Sequence, residues 1–316
     1  MAAKDRAFYE QIIDDLIDYG YEVEFSWFGG AGAYTPHVLA TERLDTPKKQ
    51  GDFARSFLTM CERKAFPAKI KLSRFLSLPV QLHCFLHELT HFYQDMHGFY
   101  YAPLQEEGVF PVMPDARSMV VLTLFNEAWA TVESIRAGWR LKMAGNDAAW
   151  RGAVTSPDWK GLAQAYGRDL DGGMDEMQAA IMLWDRWYEA PQRAFYERQA
   201  ITFFSALFER FKAGVPEVPA GGGRSVCFAD LIARMPEDGT LSYMRHLAAG
   251  SPLYTQIRDT QVREEVLAVE ALYGRAEDTS ISDIHCGSPP YLWKRLQEGQ
   301  AAHSEHPPAT VDSIAL

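Results

Sequence analysis

The sequence has few of the features that assign a chain to a class at first sight. Its 316 residues include four cysteines, and no two of them form a Cys-x-x-Cys pair. Neither a disulfide framework nor a cysteine-based zinc site is therefore indicated. Basic residues are outnumbered, and the net charge of −11 disfavours a dedicated nucleic-acid-binding protein, which would carry a basic face. We find no internal repeat, heptad run or low-complexity domain.

Long hydrophobic runs are missing as well. The longest, residues 119–125, is interrupted by Thr123 and is far shorter than the roughly 20 residues of a membrane-spanning helix. The N-terminal segment carries acidic residues throughout and lacks the apolar stretch of a secretory signal. With 47% hydrophobic residues the chain can still bury a sizeable core. Together these features predict a globular, cytoplasmic protein that binds neither a membrane nor nucleic acid.

Two histidines and a glutamate stand out against this background. On a helix His87 and His91 lie one turn and about 40° apart, so both imidazoles can reach a single ion. Glu88, next to the first histidine, is placed to act as a base on a water molecule activated by that ion. The surrounding residues are mostly apolar and include no lysine or arginine. Ser77 and Gly98 are the expected ends of this helix.

Residues 86–94, LHELTHFYQ, resemble the active-site helix of the HExxH zinc metallopeptidases, the zincins. The resemblance implies that His87 and His91 bind Zn2+, which activates water to hydrolyse a peptide or protein substrate, and that Glu88 is the catalytic base. It also implies an α+β fold that is predominantly helical, with a small N-terminal sheet, the HExxH helix and a helical lower lobe.

The expected organisation is a single zincin-like domain over residues 1–298. Residues 1–98 form an N-terminal sub-domain with the metal helix, residues 115–298 form a helical sub-domain, and the polar, proline-containing residues 299–316 form a flexible tail. Periodicity predicts helices over 8–17, from an N-cap at Asp115 to 145–146, over 175–211 with a break at Pro191, over 228–234 and over 256–273. Strands are predicted over 21–28 and 65–74. Turn residues predict loops over 29–32, 99–114 and 216–223.

Catalytic zinc normally has three protein ligands, so a third ligand has to be found. Residues 125–131, FNEAWAT, resemble the NExxxD helix of the gluzincins, the thermolysin-like zincins, in which the glutamate completes the site. The resemblance favours Glu127. Its helix face also carries Thr123, Thr131 and Ser134, and such a polar stripe on an apolar helix suits a wet, ligand-lined cavity.

One residue departs from the gluzincin pattern. Thr131 stands where that pattern has an aspartate that hydrogen-bonds a zinc histidine. Another group has to take this part, and the candidates are Asp95, Glu133 or a backbone carbonyl.

Two other residues compete with Glu127 as third ligand. His97 has the spacing of the third histidine in the metzincin pattern HExxHxxGxxH, although Gln94 replaces the glycine that turns the chain back to the metal. Glu197, in YERQA, resembles the later ExxA helix of some small gluzincin-like proteins. Otherwise it is a surface glutamate beside Arg198.

Two further roles follow from the resemblance. Residues 69–72, Lys-Ile-Lys-Leu, alternate as a half-buried edge strand does, and in zincins the edge strand upstream of the metal helix holds the substrate backbone. An ordinary structural edge strand has the same pattern. Gluzincins also use a downstream histidine or tyrosine to stabilise the oxyanion, and Tyr243 and His246 are the candidates here.

The pattern as a whole favours a zinc-dependent metallopeptidase. Two alternatives stay open. One is a metal-dependent hydrolase of a non-peptide amide or ester, and the other is a non-catalytic helical interaction protein that retains the motif helix.

Overall fold

The computed structural model describes residues 3–18, 22–27, 32–35, 69–96, 115–214, 228–233, 241–248 and 250–272. These residues form mostly helices with one three-stranded sheet, which confirms the predicted α+β, predominantly helical class. The strands are β1 (Glu22–Ser26), β2 (Gly32–Thr35) and β3 (Lys69–Ser73). The helices are α1 (Ala3–Asp18), α2 (Leu78–Met96), α3 (Ala116–Met143), α4 (Ala148–Thr155), α5 (Lys160–Asp171), α6 (Glu176–Glu189), α7 (Gln192–Gly214), α8 (Phe228–Ala233), α9 (Pro252–Thr255) and α10 (Thr260–Leu272), with a 3-10 turn at Ser242–His246.

The sheet has the order β1-β3-β2, with β1 parallel and β2 antiparallel to β3. The strand predicted over 65–74 forms, but its predicted edge position is wrong because β3 lies between two neighbours. Ile70 and Leu72 are buried, whereas Lys71 between them is partly exposed. This alternation reports which face of the strand meets solvent, and it does not report whether other strands flank it. The predicted glycine-rich loop also contains Gly32, the first residue of β2, a strand that the sequence pattern did not predict.

Helix α2 carries the histidine motif and packs against β2 and β3 as well as against α3 and α4. It begins directly after Ser77, as predicted, and the predicted stop at Gly98 lies outside the described residues. Its buried contacts with the sheet form a small apolar cluster, to which α1 also contributes. The members of this cluster are Ile12, Leu16, Ile70, Leu72, Val80, Cys84, Leu89, Phe92 and Trp159.

Helix α3 is the central helix of the larger apolar core. Its predicted N-cap is confirmed, since the Asp115 carboxylate accepts a hydrogen bond from the backbone N–H of Ser118 at 2.7 Å. Phe125 packs edge-to-face against Trp129 and Trp184, which joins α3 to α6. The predicted break at Pro191 is also confirmed, because α6 ends and α7 begins on either side of it.

Two helices between residues 146 and 174 were not predicted. In α4 the buried face consists largely of small residues, Ala149, Gly152 and Ala153, which give a weak hydrophobic pattern. Helix α4 approaches the start of α2 so closely that a Cβ atom on Gly152 would lie 2.0 Å from the carbonyl oxygen of Pro79. Glycine is therefore required at this helix contact, which holds the turn between α4 and α5 beside the motif helix.

The last helix begins later than its pattern predicted. The carboxylate of Asp259 accepts hydrogen bonds from the backbone N–H groups of Gln261 and Val262, at 3.0 and 3.2 Å, so α10 is capped at Asp259 and starts at Thr260. Among the described residues no helix combines the length and the apolar character that crossing a bilayer requires.

The close contact at Gly152 makes a stability prediction. Gly152→Ala should lower the free energy of unfolding by about 1–3 kcal/mol, because the added methyl group would overlap backbone atoms of Pro79 and Val80, which would have to move. Gly161→Ala is the matched control: Gly161 is an exposed helical glycine with no atom within 4 Å of an added Cβ. The control should be neutral or stabilise by up to about 1 kcal/mol. Equal urea-unfolding midpoints for the two variants would contradict the packing described.

Candidate metal centre

Helix α2 brings the three motif residues to its buried side. His87 and His91 are 5% and 3% exposed, and Glu88 is 6% exposed. Glu127 reaches the same place from α3, which packs directly on α2. Histidine and glutamate at such depth require partners, because buried polar and charged groups are otherwise costly.

The side-chain atoms of three residues converge. The Nε2 atoms of His87 and His91 are 3.1 Å apart, and the Glu127 carboxylate oxygens lie 3.5 Å from His87 Nε2 and 3.6 Å from His91 Nε2. Zinc with four ligands at about 2.0–2.1 Å separates its ligand atoms by about 3.3–3.4 Å. The two carboxylate contacts are made by different oxygens, Oε2 to His87 and Oε1 to His91, and each separation is close to the spacing of zinc ligand atoms. His87, His91 and Glu127 form a group that could hold a metal ion.

The electrostatics of the group also suit a cation. Burial alone would lower the pKa of His91, but Glu127, Glu88 and the hydrogen bond to Gln94 together outweigh burial and the pKa of His91 rises to about 9. Burial alone would raise the pKa of Glu127, but His91 and His87 hold the pKa of Glu127 well below its usual range. Glu127 is thus a charged carboxylate at neutral pH, and its position favours positive charge between the three side chains.

A glutamine supports one of the two histidines. The Nδ1–H of His91 donates to the side-chain oxygen of Gln94 at 2.8 Å, and the Gln94 amide donates to the backbone oxygen of Asn126 at 2.8 Å. With its proton on Nδ1, a neutral His91 would present the lone pair of Nε2 to a metal. The Gln94 side chain also ties α2 to the residue that precedes Glu127. Sequence reasoning had treated Gln94 only as the replacement of the metzincin glycine.

The group that supports His91 is therefore an amide that is hydrogen-bonded to a backbone carbonyl. No second carboxylate is needed to take the part of the gluzincin aspartate. Of the predicted carboxylates, Glu133 instead forms an ion pair with Arg136, and the side chain of Asp95 lies outside the described residues. The predicted wet stripe on α3 is wrong. Thr123 and Ser134 are buried and donate to carbonyl oxygens of their own helix, so Glu127 is the residue of that stripe that faces the site.

The structure also separates Glu197 from the metal group. Glu197 is 0% exposed, so the surface alternative is wrong too. Its carboxylate pairs with Arg193 at 2.8 Å and accepts the backbone N–H groups of Arg258 and Asp259. Glu197 thereby holds the segment before α10 against α7. The other alternative ligand, His97, lies outside the described residues.

Sequence reasoning missed Tyr196, the residue before Glu197. Burial, followed by the carboxylates of Glu127 and Glu88, raises the pKa of Tyr196 well above its usual value, so its hydroxyl lies near both carboxylates. Tyr196 is half-buried, and its ring stacks on Trp187 at a centroid distance of 5.8 Å. The hydroxyl therefore remains protonated at neutral pH and can donate a hydrogen bond at the metal group. The YERQA motif had drawn attention to the neighbouring glutamate.

The predicted oxyanion donors lie in other surroundings. Tyr243 is 1% exposed, and the Arg136 guanidinium lies over its ring at 4.5 Å. These contacts are those of a core residue. His246 is exposed on the 3-10 turn.

The turn between α4 and α5 forms one wall beside the motif histidines. The Trp159 ring lies 4.6 Å from that of His83 and 5.8 Å from that of His87, measured between ring centroids. Cys84 lies one helical turn before Glu88. Burial, then the carboxylates of Glu88 and Asp158, raise the pKa of the Cys84 thiol to about 12. Cys84 is consequently a neutral thiol and a poor metal ligand.

Comparison with known families bears on this site. A family model described as "Putative metallopeptidase family (DUF6782)" matches residues 65–237, more than half of the chain. The chain belongs to this family. The matched residues include the motif helix, Glu127 and Tyr196, so the whole side-chain group described above lies within the DUF6782 region. Searches of curated proteins and of solved structures returned no significant match.

The Gln94 contact generates a prediction about metal affinity. Gln94→Leu should weaken zinc binding about 10–100-fold, because His91 loses the acceptor that orients its ring. Gln94→Glu keeps an acceptor for His91 and should bind zinc more tightly than the leucine variant. Zinc dissociation constants measured by chelator competition test this. Equal constants for Gln94→Leu and wild type would show that the bond does not support the site.

Proposed function

We propose that this protein is a zinc-dependent metallopeptidase of the gluzincin-like type. The observation that carries the proposal is the convergence of His87, His91 and Glu127, with Glu88 buried on the same helix and close enough for its charge to raise the pKa of His91. Two imidazoles and one carboxylate are a ligand set typical of catalytic zinc in peptidases, where the fourth position stays open. Membership of a family described as metallopeptidases supports the same reaction class.

Two side chains next to the metal group would carry out the proton and charge chemistry. When bound, zinc would act as a Lewis acid on a water molecule and on the scissile carbonyl. Glu88 would take a proton from the attacking water and pass it to the leaving amine. The Glu88 carboxylate lies close enough to His91 and to Tyr196 to raise the pKa of both side chains.

Tyr196 would stabilise the carbonyl oxygen as it gains negative charge. The Glu127 carboxylate contributes to the raised pKa of Tyr196, and this raised pKa keeps the proton on the hydroxyl oxygen. A donor already held in place costs little reorganisation during the reaction, which is how oxyanion-stabilising groups act.

The substrate backbone would bind alongside β2. This strand packs against the motif helix and, within the described residues, is an outer strand of the sheet. An extended peptide can add to such an edge through main-chain hydrogen bonds. The strand-addition role predicted for residues 69–72 thus moves to Gly32–Thr35, because β3 has neighbours on both sides.

The central experiment is the variant Glu88→Gln, assayed on a fluorogenic peptide library together with small amide and ester substrates. The variant should retain about one zinc per chain but lose about 10²–10⁴-fold in kcat, because the amide cannot accept the proton. Glu189→Gln, at an exposed position at the end of α6, is the control and should match wild type. Full activity of Glu88→Gln would remove Glu88 from the mechanism. Turnover of only the small amides or esters would favour a non-peptide hydrolase, and zinc without any turnover would favour an interaction protein.

Tyr196→Phe tests the second role. The phenylalanine ring keeps the stack on Trp187, so zinc content and KM should change little while kcat falls about 10²–10³-fold. Tyr254→Phe is a matched control, because that hydroxyl donates to Asp185 and lies in another contact. An unchanged kcat in Tyr196→Phe would exclude Tyr196 as the oxyanion donor.

A further inference from the structure

His83 is a buried histidine that the proposed mechanism does not use. It is 0% exposed, and neither of its ring nitrogens has a hydrogen-bond partner among the described residues. Burial, followed by the nearby His87, lowers the pKa of His83 to about 3. The ring is therefore neutral at pH 7, with one nitrogen as a donor and the other as an acceptor. Buried polar groups nearly always have a partner, so this residue calls for an explanation.

His87, the proposed metal ligand one turn further along α2, also has a ring nitrogen without a hydrogen-bond partner among the described residues. His87 Nδ1 is buried and has no partner within the described part of the chain. A metal on Nε2 requires the proton to sit on Nδ1, so this Nδ1–H needs an acceptor. His91 meets the same requirement through Gln94 at 2.8 Å. The two ligands thus differ, and the acceptor for His87 remains to be assigned.

The two groups share one side of the motif helix. Residues four apart on a helix lie one above the other, which places His83 directly before His87 on the same face. The Trp159 indole contacts both rings, at centroid distances of 4.6 and 5.8 Å. The indole therefore packs beside both imidazoles.

We propose that His83 is a positioning residue of the metal centre and holds His87 through a buried water molecule. The water accepts the hydrogen bond from His87 Nδ1–H and donates one to the unprotonated nitrogen of His83. Buried waters characteristically join polar groups that are otherwise unsatisfied, and typically make about three hydrogen bonds. His83 then does for His87 what Gln94 does for His91: it fixes the tautomer and the plane of the ring. This inference rests on the proposed metal site.

His83→Phe separates this role from a packing role. The variant keeps an aromatic ring against Trp159 and removes both nitrogens. Its zinc dissociation constant should rise about 10–100-fold. The thermal midpoint of the metal-free protein should change little, because the variant keeps the aromatic packing against Trp159. A residue that only packs would show no loss of zinc affinity when its ring shape is preserved.

Cobalt-loaded protein gives a second, spectroscopic readout. Proton NMR of the Co2+ form should contain two hyperfine-shifted, slowly exchanging N–H signals, one from each ligand imidazole. In His83→Phe the signal of His87 should exchange at least about tenfold faster, while that of His91, held by Gln94, should not change. His83→Asn and His83→Gln place an amide oxygen near the position of one or the other ring nitrogen, and at least one of them should restore zinc affinity.

The outcomes distinguish this inference from the proposed function. Unchanged zinc affinity and two protected N–H signals in His83→Phe would overturn the positioning role and leave the metal site intact. Failure of wild type to bind zinc or cobalt would overturn the metal site and this inference together. If His83→Phe does not fold, His83→Gln compared with His83→Met makes the same test at similar side-chain volume, and equal zinc affinities for that pair would overturn the role.

Discussion

The contact between helices α2 and α3 at three side chains that could hold a metal ion is the constraint on which the site depends. One helix contributes two imidazoles through its own periodicity, and the other contributes Glu127. Bringing two histidines and a carboxylate together below the surface is unfavourable unless a cation or shared protons offset the desolvation. The pKa of His91, raised to about 9 chiefly by the Glu127 carboxylate acting against burial, reports the same need for positive charge. A bound metal would supply that charge.

The neighbouring elements hold these two helices in position. Gly152 lets α4 approach the start of α2, and the turn after α4 places Trp159 against His83 and His87. On the other side, the buried pair of Arg193 and Glu197 binds the chain before α10 through backbone groups and so fixes the orientation of α7. Tyr196 lies on the same turn of α7, so this ion pair also holds the backbone that carries its ring.

Site residues that depend on the geometry of one helix could be predicted from the sequence. Those that depend on how distant segments pack together could not. The spacing of His87 and His91 is a property of one helix, so their convergence follows from the sequence. Glu127 was accessible through a second short motif. Tyr196 was not, since no local pattern shows that a residue far along the chain will face Glu127. The hydrogen-bond partner of His91 could not be predicted either. Gln94 belongs to no motif, and its own donor and acceptor become known only from the fold.

The sheet gives a second example of the same limit. The alternation of charged and apolar residues predicted the strand β3 itself. It did not predict that β3 lies between two other strands, because an alternating pattern contains no information about neighbouring strands. Burial of a charged residue is equally invisible in the sequence. Glu197 was expected to bind metal or to face solvent, and it does neither, because Arg193 and two backbone N–H groups satisfy its carboxylate.

The most direct measurement is zinc-edge X-ray absorption on protein purified without a histidine tag and loaded with one equivalent of zinc. Two imidazole nitrogens and one or two carboxylate oxygens at about 2.0–2.1 Å, with a further light atom from solvent, are the predicted environment. In Glu127→Ala the carboxylate contribution should disappear and zinc should be held less tightly. A sulfur neighbour at about 2.3 Å, a single imidazole, or an unchanged spectrum in Glu127→Ala would contradict the proposed centre.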